Sequence, residues 1–281
     1  MGTSTDTTHA VALARAEKDR PARELVIAYG FGPLAAVLVR LLLPLRVPPT
    51  AVVLVHLAVG LAAAVLLAAG VLVGAAVLLQ VKTLLDNADG LLARTSGQVT
   101  LVGRYLDTEA DLVVNAVVFA ALGSVTGEPW LALAGFLASA FLLTLDFNLS
   151  DLHREAGGRA TRLPARSGSG LERALESVYR VVFGPQDRLV RGFSRRRLEQ
   201  ALGPDAGPGR TARATLAYYD RLTMTYLANT GLSTQLAAVG LCLVLGVPEV
   251  FLWLAVAGLL PLPALQLRRE RLARRALAGT P

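Results

Sequence analysis

Charge is scarce in this 281-residue chain: Asp, Glu, Lys and Arg make up 17% of it, against about 25% in an ordinary globular domain. With 53% hydrophobic residues, that deficit argues against a water-soluble protein and places the chain in a membrane class. Cysteine is nearly absent. Cys242 stands alone inside an apolar run, which excludes an intramolecular disulfide and reads as a small core residue. Acidic charge is the minority, leaving a formal charge of +7. The Arg residues cluster beside apolar runs, so the basic excess points to anionic lipid or phosphate rather than nucleic acid.

What is present is a series of long apolar segments. Residues 1–20 are polar, lack the apolar core of a secretory signal, and are expected to form a disordered tail. Residues 21–49 mix Arg23, Glu24 and Arg40 with Leu25, Val26, Ile27, Leu34 and Val37. That pattern predicts an amphipathic juxtamembrane helix on the lipid surface and a proline-rich linker, with Thr50 as the next N-cap. Apolar segments near 50–69, 72–94, 100–125, 129–148, 226–246 and 249–267 each approach the roughly 20 residues needed to cross a bilayer. The expected fold is therefore an all-α integral membrane protein with six transmembrane helices: four in residues 50–149 and two in 226–267.

Between them, residues 150–225 predict a cytoplasmic helical insertion, with amphipathic helices at Leu171–Phe183 and Asp187–Leu202. Residues 268–281 form a basic tail. Lys and Arg flank alternate connections, which by the positive-inside rule places both termini in the cytoplasm. A bacterial inner membrane is the expected location.

One stretch breaks the apolar pattern. Asp86, Asp89, Asp107 and Asp111 sit among Leu84, Leu85, Leu112 and Val113. On a helix, Asp86, Asp89, Gly90, Ala93 and Arg94 fall within an arc of about 140°, and Gly103, Asp107 and Asp111 within about 80° on the next. Two antiparallel neighbours can point these faces at each other, and the small residues Gly90, Ala93 and Gly103 leave room for a bulky guest. Each Asp costs about 3 kcal/mol in a membrane centre, and Arg94 offsets one at most. Divalent cations offset the rest. Carboxylate oxygens suit Mg²⁺ or Mn²⁺, and no Cys or His adjoins the acids in sequence, which disfavours zinc. Magnesium keeps positions open for phosphate oxygens, so the implied guest is a phosphate or diphosphate. His56 and His153 read as packed or surface residues. Asp146, Asn148 and Asp151 read as capping the fourth span, ahead of lining an acceptor site. Asn229, Ser233 and Gln235 are candidates for interhelical hydrogen bonds. A structural ion cluster, a cation-coupled transporter and an aspartate-rich intramembrane prenyltransferase are the rival readings of the acids.

The pattern Asp-x-x-Asp-Gly-x-x-Ala-Arg, eight residues, Gly, three residues, Asp, three residues, Asp resembles the signature of the CDP-alcohol phosphotransferases, and residues 86–111 match it at every position. The resemblance implies an enzyme that moves a substituted phosphoryl group from a CDP-linked alcohol, such as CDP-diacylglycerol, to an acceptor alcohol and releases CMP, as in phospholipid biosynthesis. It implies that Asp86, Asp89, Asp107 and Asp111 hold two divalent ions, Mg²⁺ or Mn²⁺. Asp111 would be the general base, Gly90, Ala93 and Gly103 would admit the cytidine, and Arg94 would pair with phosphate. It also implies a homodimer. The Pro-Asn-x-x-Thr sequence that often enters the first span in that family is altered here: Pro49 is followed by Thr50, and Val53 stands in place of the threonine.

Overall fold

Prolines open helices and glycines close them along this chain. The computed structural model describes residues 21–159, 168–203 and 207–279, and all regular structure among them is helical. The expected disordered tail over 1–20 lies outside the described residues. A π-helical turn at Ile27–Phe31 leads into α1 (Gly32–Leu42). A Cβ at Gly32 would stand 2.6 Å from the Ile27 carbonyl oxygen, so the turn accommodates only a residue without a side chain there. After a proline-rich bend come α2 (Pro49–Ala68), α3 (Leu72–Thr95), α4 (Leu101–Thr126) and α5 (Pro129–Ala156). Then follow α6 (Gly170–Val182), α7 (Gly184–Leu202), α8 (Pro208–Tyr218), α9 (Arg221–Ala228), α10 (Leu232–Val244), α11 (Pro248–Ala257) and α12 (Leu262–Ala278).

Among the described residues, five stretches are long and apolar enough to cross a membrane: α2, α4, α5, residues Gly209–Val244 and residues Pro248–Ala278. The expected sixth, α3, is long enough at 24 residues, but Lys82, Asp86, Asp89 and Arg94 all lie on it and lower its apolarity. α2 is apolar around its whole circumference; its 20 residues span about 30 Å, the thickness of a hydrocarbon core. Large apolar side chains such as Val65, Trp130, Leu137, Leu241 and Trp253 stay exposed on the outer faces. In a bilayer those faces meet lipid rather than water.

Several local expectations change. Thr50 does not cap α2; Pro48 is the N-cap and Pro49 the first helical residue, where a missing N–H is harmless. The juxtamembrane helix does not merely rest on a surface. Ala35 and Val39 of α1 are buried together with Val52 of α2 and Ala88 and Leu92 of α3, so α1 buttresses α3. Glu24, also buried, accepts hydrogen bonds from the Thr234 amide and hydroxyl at 3.0 Å. The Leu25 amide donates to Asn229 Oδ1 at 2.9 Å.

The insertion is equally tied in. α5 runs past the expected end of the fourth span to Ala156, because no breaker intervenes before Gly157-Gly158. Asn148 and Asp151 are therefore mid-helix, and they neither cap it nor face the acids of α3 and α4. Asn148 donates to Asp187 Oδ1 at 2.7 Å and accepts from Arg191 Nε at 3.0 Å, while Asp151 pairs with Arg191 and Arg154. These contacts lock α7 onto α5. Tyr218, Tyr219, Met224, Leu227 and Ala273 then join α8, α9 and α12 in a second apolar core. Arg269 of α12, in the expected basic tail, is buried against the Tyr218 ring, 4.0 Å from its centroid. His153 is packed, with Nδ1 3.0 Å from the Tyr219 carbonyl oxygen.

Candidate active site

The acids are brought together by a helix that carries none of them. α2 packs against both α3 and α4, whereas α3 and α4 have little close backbone packing with each other. The expected antiparallel pair is thus a three-helix arrangement with α2 at its base. The hairpin between α3 and α4 turns at Gly97, whose φ of +70° lies in the left-handed region. Thr100 then caps α4, its hydroxyl accepting from the Gly103 amide at 3.0 Å. α2 packs tightly on α4 at Gly60, where an added Cβ would stand 2.6 Å from a Val114 methyl. That contact sets the depth at which α4 presents Asp107 and Asp111.

On this frame Asp86, Asp89 and Asp107 converge with His56 of α2. One ligand atom from each of the four lies within 4.8 Å of the others. His56 Nε2 is 3.2 Å from Asp89 Oδ2 and 3.6 Å from Asp107 Oδ1. His56 and Asp89 are buried, while the Asp107 side chain is 38% exposed, so the cluster is reached from the Asp107 side. Asp111 stands beside it, its Oδ1 accepting a hydrogen bond from Lys82 Nζ. Lys82 also lies 3.6 Å from Asp86 Oδ1, one turn away on α3.

The other expected residues border the same region. Arg94 is exposed and its guanidinium lies over Gly90; a Cβ there would sit 3.2 Å from Arg94 Nη1. Ala93 is half-buried on the same helix end. Gly103 sits in the first turn of α4 beside Thr50 of α2. Asn87 reaches the other way and donates to Ser233 Oγ of α10 at 3.2 Å, which holds α3 by its back. Gln80 does the same to the Leu236 carbonyl at 3.0 Å. Of the polar candidates on the fifth apolar segment, Asn229 and Ser233 make interhelical bonds, while Gln235 donates locally to Thr230 O.

Two residues were not expected. His56 adjoins the acids in space though not in sequence, which removes the argument that no histidine neighbours them. Its signal was faint, since a lone His in an apolar helix ordinarily packs. Lys82 had a clearer one: a cation four residues before Asp86 shares its face and is costly in a membrane unless paired.

The donor set suits a divalent cation. His56 Nε2, Asp89 Oδ2 and Asp107 Oδ1 are buried and have no hydrogen-bond partner among the described residues. Two carboxylate oxygens and an imidazole nitrogen converging with no well-formed hydrogen bond among them suit a bound positive charge. Manganese accepts such a mixed set readily, and magnesium accepts its oxygens. Asp86 supplies a further carboxylate.

A search among curated proteins finds no match. Residues 45–165, which supply every side chain of this cluster, match the family model of the CDP-alcohol phosphatidyltransferases.

Proposed function

We propose that this protein is a membrane-embedded transferase that moves a substituted phosphoryl group from a CDP-linked alcohol, such as CDP-diacylglycerol, to the hydroxyl of an acceptor alcohol, releasing CMP. The family whose model matches residues 45–165 transfers phosphoryl groups from CDP-alcohols in membranes. The observation that carries the reading is the convergence of Asp86, Asp89 and Asp107 on one point with Asp111 beside it, in a chain with five stretches long and apolar enough to cross a membrane among its described residues.

The residues take the following roles. Asp86, Asp89 and Asp107 would hold Mg²⁺ or Mn²⁺, which when bound neutralises charge on the diphosphate and on departing CMP. Arg94, exposed at the end of α3, pairs with a phosphate oxygen as a charge-assisted donor. Gly90, Ala93 and Gly103 present little side-chain volume, so a flat cytosine and its ribose approach the helix backbones closely. Asp111 accepts the proton of the acceptor hydroxyl. The acceptor oxygen forms a bond to the phosphorus that bears the donor alcohol, the bond from that phosphorus to the bridging oxygen breaks, and CMP leaves with the electron pair.

The same reading gives the protein six membrane helices, α3 being carried among the others by its neighbours. Both termini, the α3–α4 hairpin and the insertion face the cytoplasm, in a bacterial inner membrane, and two copies associate as a homodimer. The products serve phospholipid or related phosphodiester synthesis.

The test is CMP release by purified protein given CDP-diacylglycerol or CDP-choline, Mg²⁺ or Mn²⁺, and a panel of alcohol acceptors. Acceptor-dependent CMP release supports the proposal. Diphosphate release from a prenyl diphosphate would support a prenyltransferase instead, and cation-coupled uptake into vesicles without CMP would support a transporter.

A further inference from the structure

Two buried side chains within the acidic cluster have no part in the reaction just described. His56 is fully buried on α2, and neither ring nitrogen has a hydrogen-bond partner among the described residues. Its Nε2 is aimed at Asp89 and Asp107, at 3.2 and 3.6 Å. Lys82 is also fully buried, and its ammonium touches Asp111 and lies 3.6 Å from Asp86. The four carboxylates therefore divide into two settings. Asp89 and Asp107, with Asp86, surround a point shared with an imidazole. Asp111 and Asp86 flank an ammonium.

We propose that this protein holds a single divalent cation, ligated by His56 with Asp86, Asp89 and Asp107, and that the Lys82 ammonium occupies the place beside Asp111 and Asp86 where a second cation would sit. The inference rests on reading the acids as the cation site of a CDP-dependent transferase, and it replaces the pair of ions that the sequence resemblance implies. Four aspartates without other partners would call for two dications. An ammonium is a compact charge with three donors and no acceptor, and Lys82, fully buried, pairs with Asp111 through Oδ1. A dication bound to the same Asp111 and Asp86 oxygens would meet that positive charge within a few ångströms, in surroundings that screen it poorly. At the other setting, an imidazole nitrogen turns an all-oxygen site into a mixed one. Mixed nitrogen and oxygen donors favour Mn²⁺ over Mg²⁺, because affinity for such sites rises along the transition series and magnesium prefers oxygen alone.

The count of bound ions decides the matter without any turnover. Full-length protein in detergent, stripped with EDTA, is titrated with Mn²⁺ alone while free Mn²⁺ is read by electron paramagnetic resonance. The wild type is expected to bind one ion per chain, and more tightly than it binds Mg²⁺ in competition. Lys82→Met, a neutral replacement of similar length, is expected to bind two; Lys82→Arg, which keeps the charge, is expected to stay at one. His56→Leu is expected to weaken Mn²⁺ binding at least tenfold. Two ions in the wild type, or one ion in a folded Lys82→Met, overturns the proposal while leaving the CDP-dependent reading intact. Mn²⁺ affinity unchanged in His56→Leu overturns the histidine's part. No Mn²⁺ binding by the wild type overturns this proposal together with the cation site it rests on. If Lys82→Met fails to fold, the wild-type count and Lys82→Arg still decide the outcome.

Discussion

The Lys82 ammonium lies against the Asp111 carboxylate, joining α3 to α4 across 29 residues of chain. Because those two helices have little close backbone packing of their own, this ion pair is a direct tie between the two halves of the acidic cluster. It also fixes the orientation of the carboxylate proposed as the base. A buried pair of this kind is strongly disfavoured when one partner is removed, since the other is left as an uncompensated charge.

Asp111→Asn separates proton acceptance from donor binding. The amide keeps the shape and still accepts from Lys82, but it takes no proton from an alcohol. Turnover is expected to fall by about 10²- to 10⁴-fold, with the equilibrium affinity for the CDP-linked donor changed only a few-fold. Rates of CMP release and direct donor binding check this; near-normal turnover would remove Asp111 from the base role.

Gly60 tests how far the site depends on helix spacing. A methyl there meets Val114 at 2.6 and 2.7 Å, and Val114 lies one turn beyond Asp111. Gly60→Ala is expected to destabilise the fold by about 1–3 kcal/mol, as overpacking does, and to lower turnover as α4 moves outward. Adding Val114→Ala should recover most of the lost thermal stability. A Gly60→Ala protein with unchanged melting would show that the contact relaxes freely.

Tyr179 couples the insertion to the site. Its ring lies 5.3 Å from the Tyr105 ring of α4, and its hydroxyl donates to Asp187 Oδ2 at 3.1 Å. Burial and the Asp187 carboxylate push this phenol above its ordinary range, so it stays protonated when folded. Its stabilising part is complete below the unfolded phenol's pKa of about 10 and declines as pH rises above it. Tyr179→Phe should cost about 1 kcal/mol and remove that alkaline loss; Tyr179→Ala should cost more because the ring contact goes too. Chemical denaturation at pH 7 and at alkaline pH reads both effects.

Orientation is open to labelling because Cys242 is the only cysteine. In a Cys242→Ser background, Gln98→Cys in the α3–α4 hairpin and Glu128→Cys between α4 and α5 place thiols at exposed positions. An impermeant maleimide should reach residue 128 from outside the cell and residue 98 only after the membrane is opened. The reverse pattern would invert the topology.

The acids and glycines were legible because their spacing along two helices is itself the geometry. Asp86, Asp89 and Gly90, like Gly103, Asp107 and Asp111, share a face whatever the helices pack against. The helix breaks at Gly70, Gly97, Gly127 and Gly246 were legible for the same local reason. His56 was not, since its relevance depends on α2 lying beneath both acidic helices, which no spacing records. Asn148 and Asp151 were misread because their hydropathy marks a span's end, while the helix itself continues into the insertion. Glu24 meets Thr234, and Leu25 meets Asn229, across more than 200 residues of chain near the start of α10, contacts that apolar periodicity cannot anticipate. α8 and α9 went unforeseen because their buried faces are set by Tyr218 and Met224 packing on α12 rather than by a repeating apolar stripe.

The most direct test is acceptor-dependent CMP release from a CDP-linked donor by wild type and Asp89→Asn, each with Mn²⁺ and after EDTA. Asp89 is the buried carboxylate closest to His56, and it has no other task in the fold. The account predicts release by the wild type that EDTA stops and Mn²⁺ restores, and release by Asp89→Asn at least 10²-fold slower than the wild type with Mn²⁺ present. Release that is indifferent to EDTA, or an Asp89→Asn rate matching the wild type, would contradict it.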